Sequence, residues 1–391
     1  MKYNFDKVID RSGTSAEKVE GLKHIWGRTD LIPLWVADMD FATAPFVTDA
    51  IRKRCENEVL GYTGKPDSYY NAIINWVKQR YDLIVTKEVI NFVPGIVPGI
   101  GMAMNCFTQK GDKVMIQPPV YHPFAWVTTR KERTLVINPL RWENGMYRMD
   151  LDAFREQIKG CKLFILCNPH NPGGVVWTEA ELRAIADICY DEKVLVFSDE
   201  IHADLTLPPH THRPFATVSE KARMNSVTFM SPSKAFNMPG LSASHALIFN
   251  EDLRKRFRIY MDAGELDMGH VFAFLSVEAA YSHGTEWLDQ CLAYIQGNID
   301  FVDDFLKNHA PKIKAIRPEA SYLVWLDCRE LKLSQKDLNE FFVDKAHLAL
   351  NDGEMFGKEG IGFMRLNVAS PRCIIEKAMK QLADAYQLYI K

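Results

Sequence analysis

The chain contains no Cys-x-x-Cys pair among its eight cysteines, which removes the usual zinc and dithiol patterns from consideration. Most of these cysteines, Cys167 and Cys189 among them, sit inside apolar runs. They read as buried free thiols in a reducing compartment rather than as disulfides or metal ligands. No uninterrupted apolar run is long enough to span a bilayer. The opening residues Met1 to Lys7 lack the apolar core of a signal peptide. Both absences favour the cytoplasm. There is no low-complexity segment and no internal repeat. A formal net charge of -3 is too close to neutral to point to nucleic acid or an anionic membrane as partner. The remaining composition, 47% hydrophobic and 25% charged over 391 residues, is that of an ordinary globular chain long enough for two domains.

Short apolar runs recur through the middle of the chain at Val114–Ile116, Leu135–Ile137, Leu163–Leu166, Val194–Phe197, Val227–Met230 and Ala246–Phe249. Their nearly unbroken apolar character predicts strands buried on both faces. Helical patterns lie between several of them. The clearest is Glu179–Tyr190, opened by Thr178 as N-cap with Glu181 placed for a capping box. This alternation predicts an α/β fold with a mostly parallel, helix-flanked sheet. Beyond residue 284 the pattern changes. A long helix over Thr285–Asn308 precedes a strand at Tyr322–Leu326, a helix at Leu338–Lys345, a strand containing Arg365 and a final helix from about Ile374 to Tyr389. The expected organisation is therefore an N-terminal segment 1–45 packing with the small domain, a large domain 46–284 and a smaller α/β domain 285–391.

Three polar segments follow three of the strands. Asn168-Pro169-His170-Asn171-Pro172-Gly173-Gly174 follows the first, Asp199-Glu200-Ile201-His202 the second and Ser231-Pro232-Ser233-Lys234 the third. An amide, a carboxylate and an amine in this arrangement are the groups that hold a pyridoxal phosphate ring. The amine makes the Schiff base, the carboxylate keeps the pyridine nitrogen protonated and the amide donates to the phenolic oxygen. Each has a plainer alternative: a surface lysine for Lys234, a helix N-cap for Asp199 and an Asn-Pro turn for Asn171.

With these segments, Pro33-Leu34-Trp35-Val36-Ala37-Asp38-Met39-Asp40-Phe41 and Pro119-Val120-Tyr121-His122-Pro123-Phe124, nearly the whole chain resembles fold-type I pyridoxal-phosphate enzymes of the class I/II aminotransferase superfamily. It is most similar to the MalY/PatB group of carbon–sulfur β-lyases, which includes cystathionine β-lyases. The resemblance implies that Lys234 carries the cofactor and then moves protons at the substrate's Cα, that Asp199 partners the pyridinium, and that Tyr121 stacks on the ring. Tyr121 is also a candidate for proton transfer. His202 stands where many aminotransferases have a tyrosine, and either packing or function is open to it.

For the phosphate, Pro94-Gly95-Ile96-Val97-Pro98-Gly99 precedes an expected helix at Ile100–Phe107. Ile96 and Val97 would serve through backbone N–H groups, with hydroxyls from Ser231 and Ser233. Ser242 occupies the place where many aminotransferases carry a phosphate-binding arginine, a departure that fits the lyase group. Tyr62 resembles the tyrosine that reaches the phosphate of the neighbouring subunit, which implies a homodimer with shared active sites. Arg365 resembles the fork that binds the substrate carboxylate. Phe41 and Trp126 are candidate apolar walls of the side-chain pocket, with core packing as the alternative. The expected activity is β-elimination from L-cystathionine or a related cysteine S-conjugate, giving thiol, pyruvate and ammonia. The alternatives are an aminotransferase on the same scaffold and a regulatory protein that keeps the cofactor fold.

Overall fold

The computed structural model describes residues 1–389. Seven strands build the main sheet: β1 (Ile90–Val93), β2 (Lys113–Ile116), β3 (Thr134–Ile137), β4 (Cys161–Cys167), β5 (Leu195–Asp199), β6 (Ser226–Met230) and β7 (Ser244–Leu247). Across the sheet they run β1-β7-β6-β5-β4-β2-β3. β2 to β6 pair in parallel, while β7 runs antiparallel to both of its neighbours. The middle strands are buried along nearly their whole length, which is why they read as near-continuous apolar runs. Connecting helices cover the sheet, among them Glu179–Asp191, whose capping box between Thr178 and Glu181 forms as its sequence predicts.

β1 has no counterpart in the expected strand series. Asn91 interrupts its apolar pattern, and in the fold its amide donates to the carbonyls of Val89 and Ala246 while its oxygen accepts from Arg258. β7 lies earlier than the expected Ala246–Phe249, because Ser244 and His245 are polar yet sit buried in the ladder beside β1. The helix expected at Ile100 begins at Ile96 and runs to Phe107. Pro98 does not stop it, since first-turn N–H groups have no intrahelical acceptor to lose.

Beyond the long helix Thr285–His309 stands a second, antiparallel sheet of β8 (Lys314–Ile316), β9 (Leu323–Asp327), β10 (Asn351–Asp352) and β11 (Phe363–Asn367), in the order β8-β9-β11-β10. The helix expected over Leu338–Lys345 is α-helical over Gln335–Glu340 and widens to a π-helix at Phe341–Lys345, with Phe341 and Phe342 both in the core. The chain's first residues reach this part of the molecule. Ile32–Pro33 pairs in parallel with Leu348–Ala349, and Phe5 packs edge-on against Phe41 and Trp287.

Candidate active site

A cavity of about 280 Å³ opens where β1, β4, β5 and β6 end and β7 begins. The carboxyl edge of a parallel sheet is where α/β folds place their ligands, because the loops there diverge and leave a crevice. Asn171, Asp199, Tyr121, His202, Ser233 and Lys234 all line it, brought together from the ends of four separate strands, β2, β4, β5 and β6.

Asp199 and Lys234 are the two charges inside this cavity. Asp199 is buried, and among the described residues its carboxylate accepts one hydrogen bond, from the Ile201 N–H at 3.1 Å. Burial raises its pKa to about 7, with Glu200 adding repulsion and Lys234 opposing it. The adjacent Glu200 is differently supplied. It accepts from Ser198 Oγ, from the Phe215 N–H and from His212 Nε2, each at 2.8 Å. Of two neighbouring acids, Glu200 receives three donors from the fold and Asp199 one. Lys234 donates to the Ala37 carbonyl at 2.5 Å. Burial, and secondarily Arg365, lowers its pKa to about 8 against the pull of Asp38 and Asp199.

Asn171 is oriented by Arg365, whose Nη1 donates to the amide oxygen at 3.0 Å. The NH₂ end of Asn171 is thereby left for the cavity. Arg365 also bonds the Asn351 side chain at 2.5 Å and the Trp35 carbonyl at 3.2 Å, and lies over the ring of Phe356. Enclosure lowers its pKa to about 10, which leaves it charged. His202 is buried with Nδ1 unpartnered among the described residues, and desolvation takes its pKa down to about 3, so it is a neutral ring at the cavity wall.

The far end of the cavity holds a helix start whose N–H groups could receive an anion. Gly95 caps the helix Ile96–Phe107 with φ of 117°, a conformation that favours glycine, and no side chain caps that end. The N–H groups of Ile96 and Val97 stand in the first turn, where the helix dipole adds to them. Ser233 lines the cavity, but the Ser231 hydroxyl is committed to the Ala243 carbonyl at 2.8 Å and braces the Ser233 N–H instead. Ser244, which the sequence pattern does not single out, lines the cavity beside Ser242. A carboxylate without a cation, an enclosed amine, an amide donor and an uncapped helix start fit the pyridinium, aldehyde, phenolic oxygen and phosphate of pyridoxal phosphate.

Three expected residues lie elsewhere. Tyr62 is 97% exposed and touches no part of its own chain's cavity. Phe41 is in the core against Phe5 and Tyr294. Trp126 is 46% exposed, packed on His122 and under Arg130, and lines a different cavity that includes Phe356. Neither aromatic walls the cavity of Lys234. Sequence reasoning passed over Ala37, Cys167 and Ser244, which line it, and Tyr322 and Asn351, which brace it. The Trp35–Phe41 segment was the one signal available, since it holds Ala37.

Residues 29–382 match the aminotransferase class I and II family. The chain is 38% identical to cystathionine β-lyase PatB of Bacillus subtilis over 98% of its own length and 99% of the relative's. It is 30% identical to protein MalY of Escherichia coli, covering 98% of each. The structure of cystalysin from Treponema denticola, which contains a pyridoxal 5'-phosphate cofactor, matches it with a TM-score of 0.96 at 34% identity over 100% of both chains. The chain belongs to the class I and II aminotransferase family.

Proposed function

We propose that this chain is a pyridoxal-phosphate-dependent carbon–sulfur β-lyase whose substrate is L-cystathionine or a related cysteine S-conjugate, and that it works in the cytoplasm as a homodimer. The observation that carries the reading is the pairing, in one cavity, of an acid lacking a counter-ion with an enclosed lysine of lowered basicity. Relatives named cystathionine β-lyase along nearly the whole chain support the substrate class.

Bound in the cavity, pyridoxal phosphate supplies an electron sink for the pair released when a bond at the substrate's Cα breaks. Asp199 would partner the ring nitrogen and keep it protonated. Asn171 would donate to the phenolic oxygen. Ile96, Val97, Ser233 and Ser244 would hold the phosphate, and Tyr121 would pack against the ring. Arg365 takes the substrate carboxylate in exchange for one of its present acceptors, which turns the Cα–H bond toward Lys234. With a pKa near 8, the lysine is partly neutral at physiological pH and accepts the Cα proton. The thiolate leaves from Cβ, and the residual three-carbon enamine hydrolyses to pyruvate and ammonia. With cystathionine the thiol is homocysteine. Tyr62, exposed in one chain, is assigned to the phosphate of the partner subunit.

The test is an assay with L-cystathionine and no keto acid, following pyruvate and free thiol, beside Lys234→Ala. Equal amounts of both products, lost in the variant, are expected. Amino-group transfer that requires an added keto acid, with no pyruvate, would place the chain among the aminotransferases instead.

A further inference from the structure

The backbone from Trp35 to Asp38 is gripped at four successive carbonyls. Trp35 accepts from Arg365 at 3.2 Å, Val36 from Asn367 at 2.7 Å, Ala37 from Lys234 at 2.5 Å and Asp38 again from Asn367 at 2.7 Å. One of these carbonyls is shared. Tyr322 Oη donates to the Ala37 oxygen at 2.9 Å, so the tyrosine hydroxyl and the lysine amine meet on one acceptor. From below, the fully enclosed Lys18 holds the segment by pairing with Asp40 at 2.8 Å and Asp38 at 3.5 Å.

Tyr322 is completely buried just before β9. The residue before it, Ser321, sits at φ of 82°, an unusual and costly conformation for a residue with a Cβ. Such strain persists only where surrounding contacts over-determine it, and it gathers at functional sites. Here the Ser321 N–H is fixed to the Leu205 carbonyl at 2.8 Å, and the Tyr322 carbonyl to the Val368 N–H at 2.9 Å. Among the described residues the serine hydroxyl is buried without a hydrogen-bond partner. What the strained turn achieves is the direction of the tyrosine that follows it.

We propose that Tyr322 is a positioning residue for Lys234: by sharing the Ala37 carbonyl it fixes where the free amine rests and keeps that amine in its neutral, proton-accepting form. This deepens the assignment of Lys234 as the base and rests on it. A carbonyl oxygen has two lone pairs, and a donor on one reduces its pull on the other. Without the tyrosine, Ala37 would bind the ammonium form more tightly and the amine would hold its proton to higher pH. Asp38, Asp199 and Arg365 act on the same amine from the Trp35–Asp38 segment, β5 and β11, and Tyr121, His202 and Cys167 line the same cavity. All six remain in a Tyr322 variant, so a shift on removing the hydroxyl belongs to Tyr322.

The experiment compares the acidic limb of the kcat–pH profile of the holoenzyme, which reports the base in the substrate complex, for wild type, Tyr322→Phe and a chain carrying a fluorinated tyrosine at position 322. The fluorinated ring is a stronger donor of the same shape, so it stays informative if Tyr322→Phe folds poorly. Tyr322→Phe is expected to move the limb up by about half a pH unit, and the fluorinated ring to move it down. A second readout, independent of turnover, is the pH dependence of Lys234 acetylation in the full chain stripped of cofactor, read by mass spectrometry, where shifts of the same signs are expected. An unmoved limb and acetylation profile, or shifts of one sign in both variants, would overturn the proposal. Activity surviving Lys234→Ala would overturn the underlying reading of the base, a result independent of what Tyr322 does.

Discussion

Arg365 and Asn171 are joined by a 3.0 Å hydrogen bond from the guanidinium to the amide oxygen. The residue assigned to the substrate carboxylate thus decides which end of the residue assigned to the cofactor faces the cavity. Asn171→Asp should break both roles together. The new carboxylate would pair with Arg365 and compete with the substrate for it, and it would present an acceptor where a donor is needed. A loss of about 1.5–3 kcal/mol at a charged hydrogen bond is roughly a ten- to hundredfold rise in KM. Steady-state kinetics on L-cystathionine, with the cofactor's absorbance recorded alongside, checks it; an unchanged KM would count against Arg365 as the carboxylate fork.

Asp199 sets function against stability. Its pKa is raised by burial to about 7 in the chain without cofactor. The sign follows from linkage. Below an ordinary carboxylate pKa of about 4 the group is neutral folded and unfolded, so its contribution is fully favourable there; stability is then lost as pH rises through 7, up to about 4 kcal/mol. Asp199→Asn removes that penalty. Cofactor-free Asp199→Asn should melt higher than cofactor-free wild type at pH values above about 7, by a margin that vanishes near pH 4, while lyase turnover collapses because the ring nitrogen loses its partner. Melting curves across that range decide it, and a constant difference at all pH values would refute the charge explanation.

Tyr62 has almost no contact with its own chain, being 97% exposed. If it serves the neighbouring subunit, Tyr62→Phe should leave the melting temperature of the cofactor-free protein unchanged but raise the cofactor's dissociation constant about tenfold, the value of one hydrogen bond to a charged group. Cofactor titration followed by absorbance measures this. Unaltered affinity would remove Tyr62 from the phosphate site.

Gly174 is where the Asn-Pro-Gly-Gly turn meets the segment leading to β9. Its φ is 68°, and a Cβ there would lie 2.4 Å from Pro318 Cβ and 2.7 Å from Pro318 Cα. Its carbonyl accepts the N–H groups of Glu319 and Ala320. Gly174→Ala should therefore cost about 3 kcal/mol, from left-handed strain and overpacking together. Denaturant unfolding of the variant tests the figure; a loss well under 1 kcal/mol would mean that the segment yields easily.

The strands β4, β5 and β6 were legible because burial on both faces leaves little room for polar residues. The Asn171, Asp199 and Lys234 segments were legible because each follows one of those strands directly. β1 and β7 were harder, since Asn91, Ser244 and His245 are polar residues that only the sheet itself encloses. The phosphate end was partly legible. Glycine and proline mark the turn at Pro94–Gly99, but the start of the helix depends on N–H groups that need no partner, which residue identity does not reveal.

By itself the sequence determined the chemistry available: one amine, one carboxylate and one amide, each placed after an apolar strand, because local composition dictates where buried strands end and polar segments begin. The tertiary structure decided which of those groups stay unsatisfied. Glu200 and Asp199 are adjacent acids, yet the fold gives Glu200 three donors and Asp199 one. It likewise brought Tyr322 and Lys234, remote along the chain, onto the Ala37 carbonyl. Solvation and hydrogen-bond supply are properties of the packed interior, and they convert an inventory of side chains into an acid, a base and the supports that hold them.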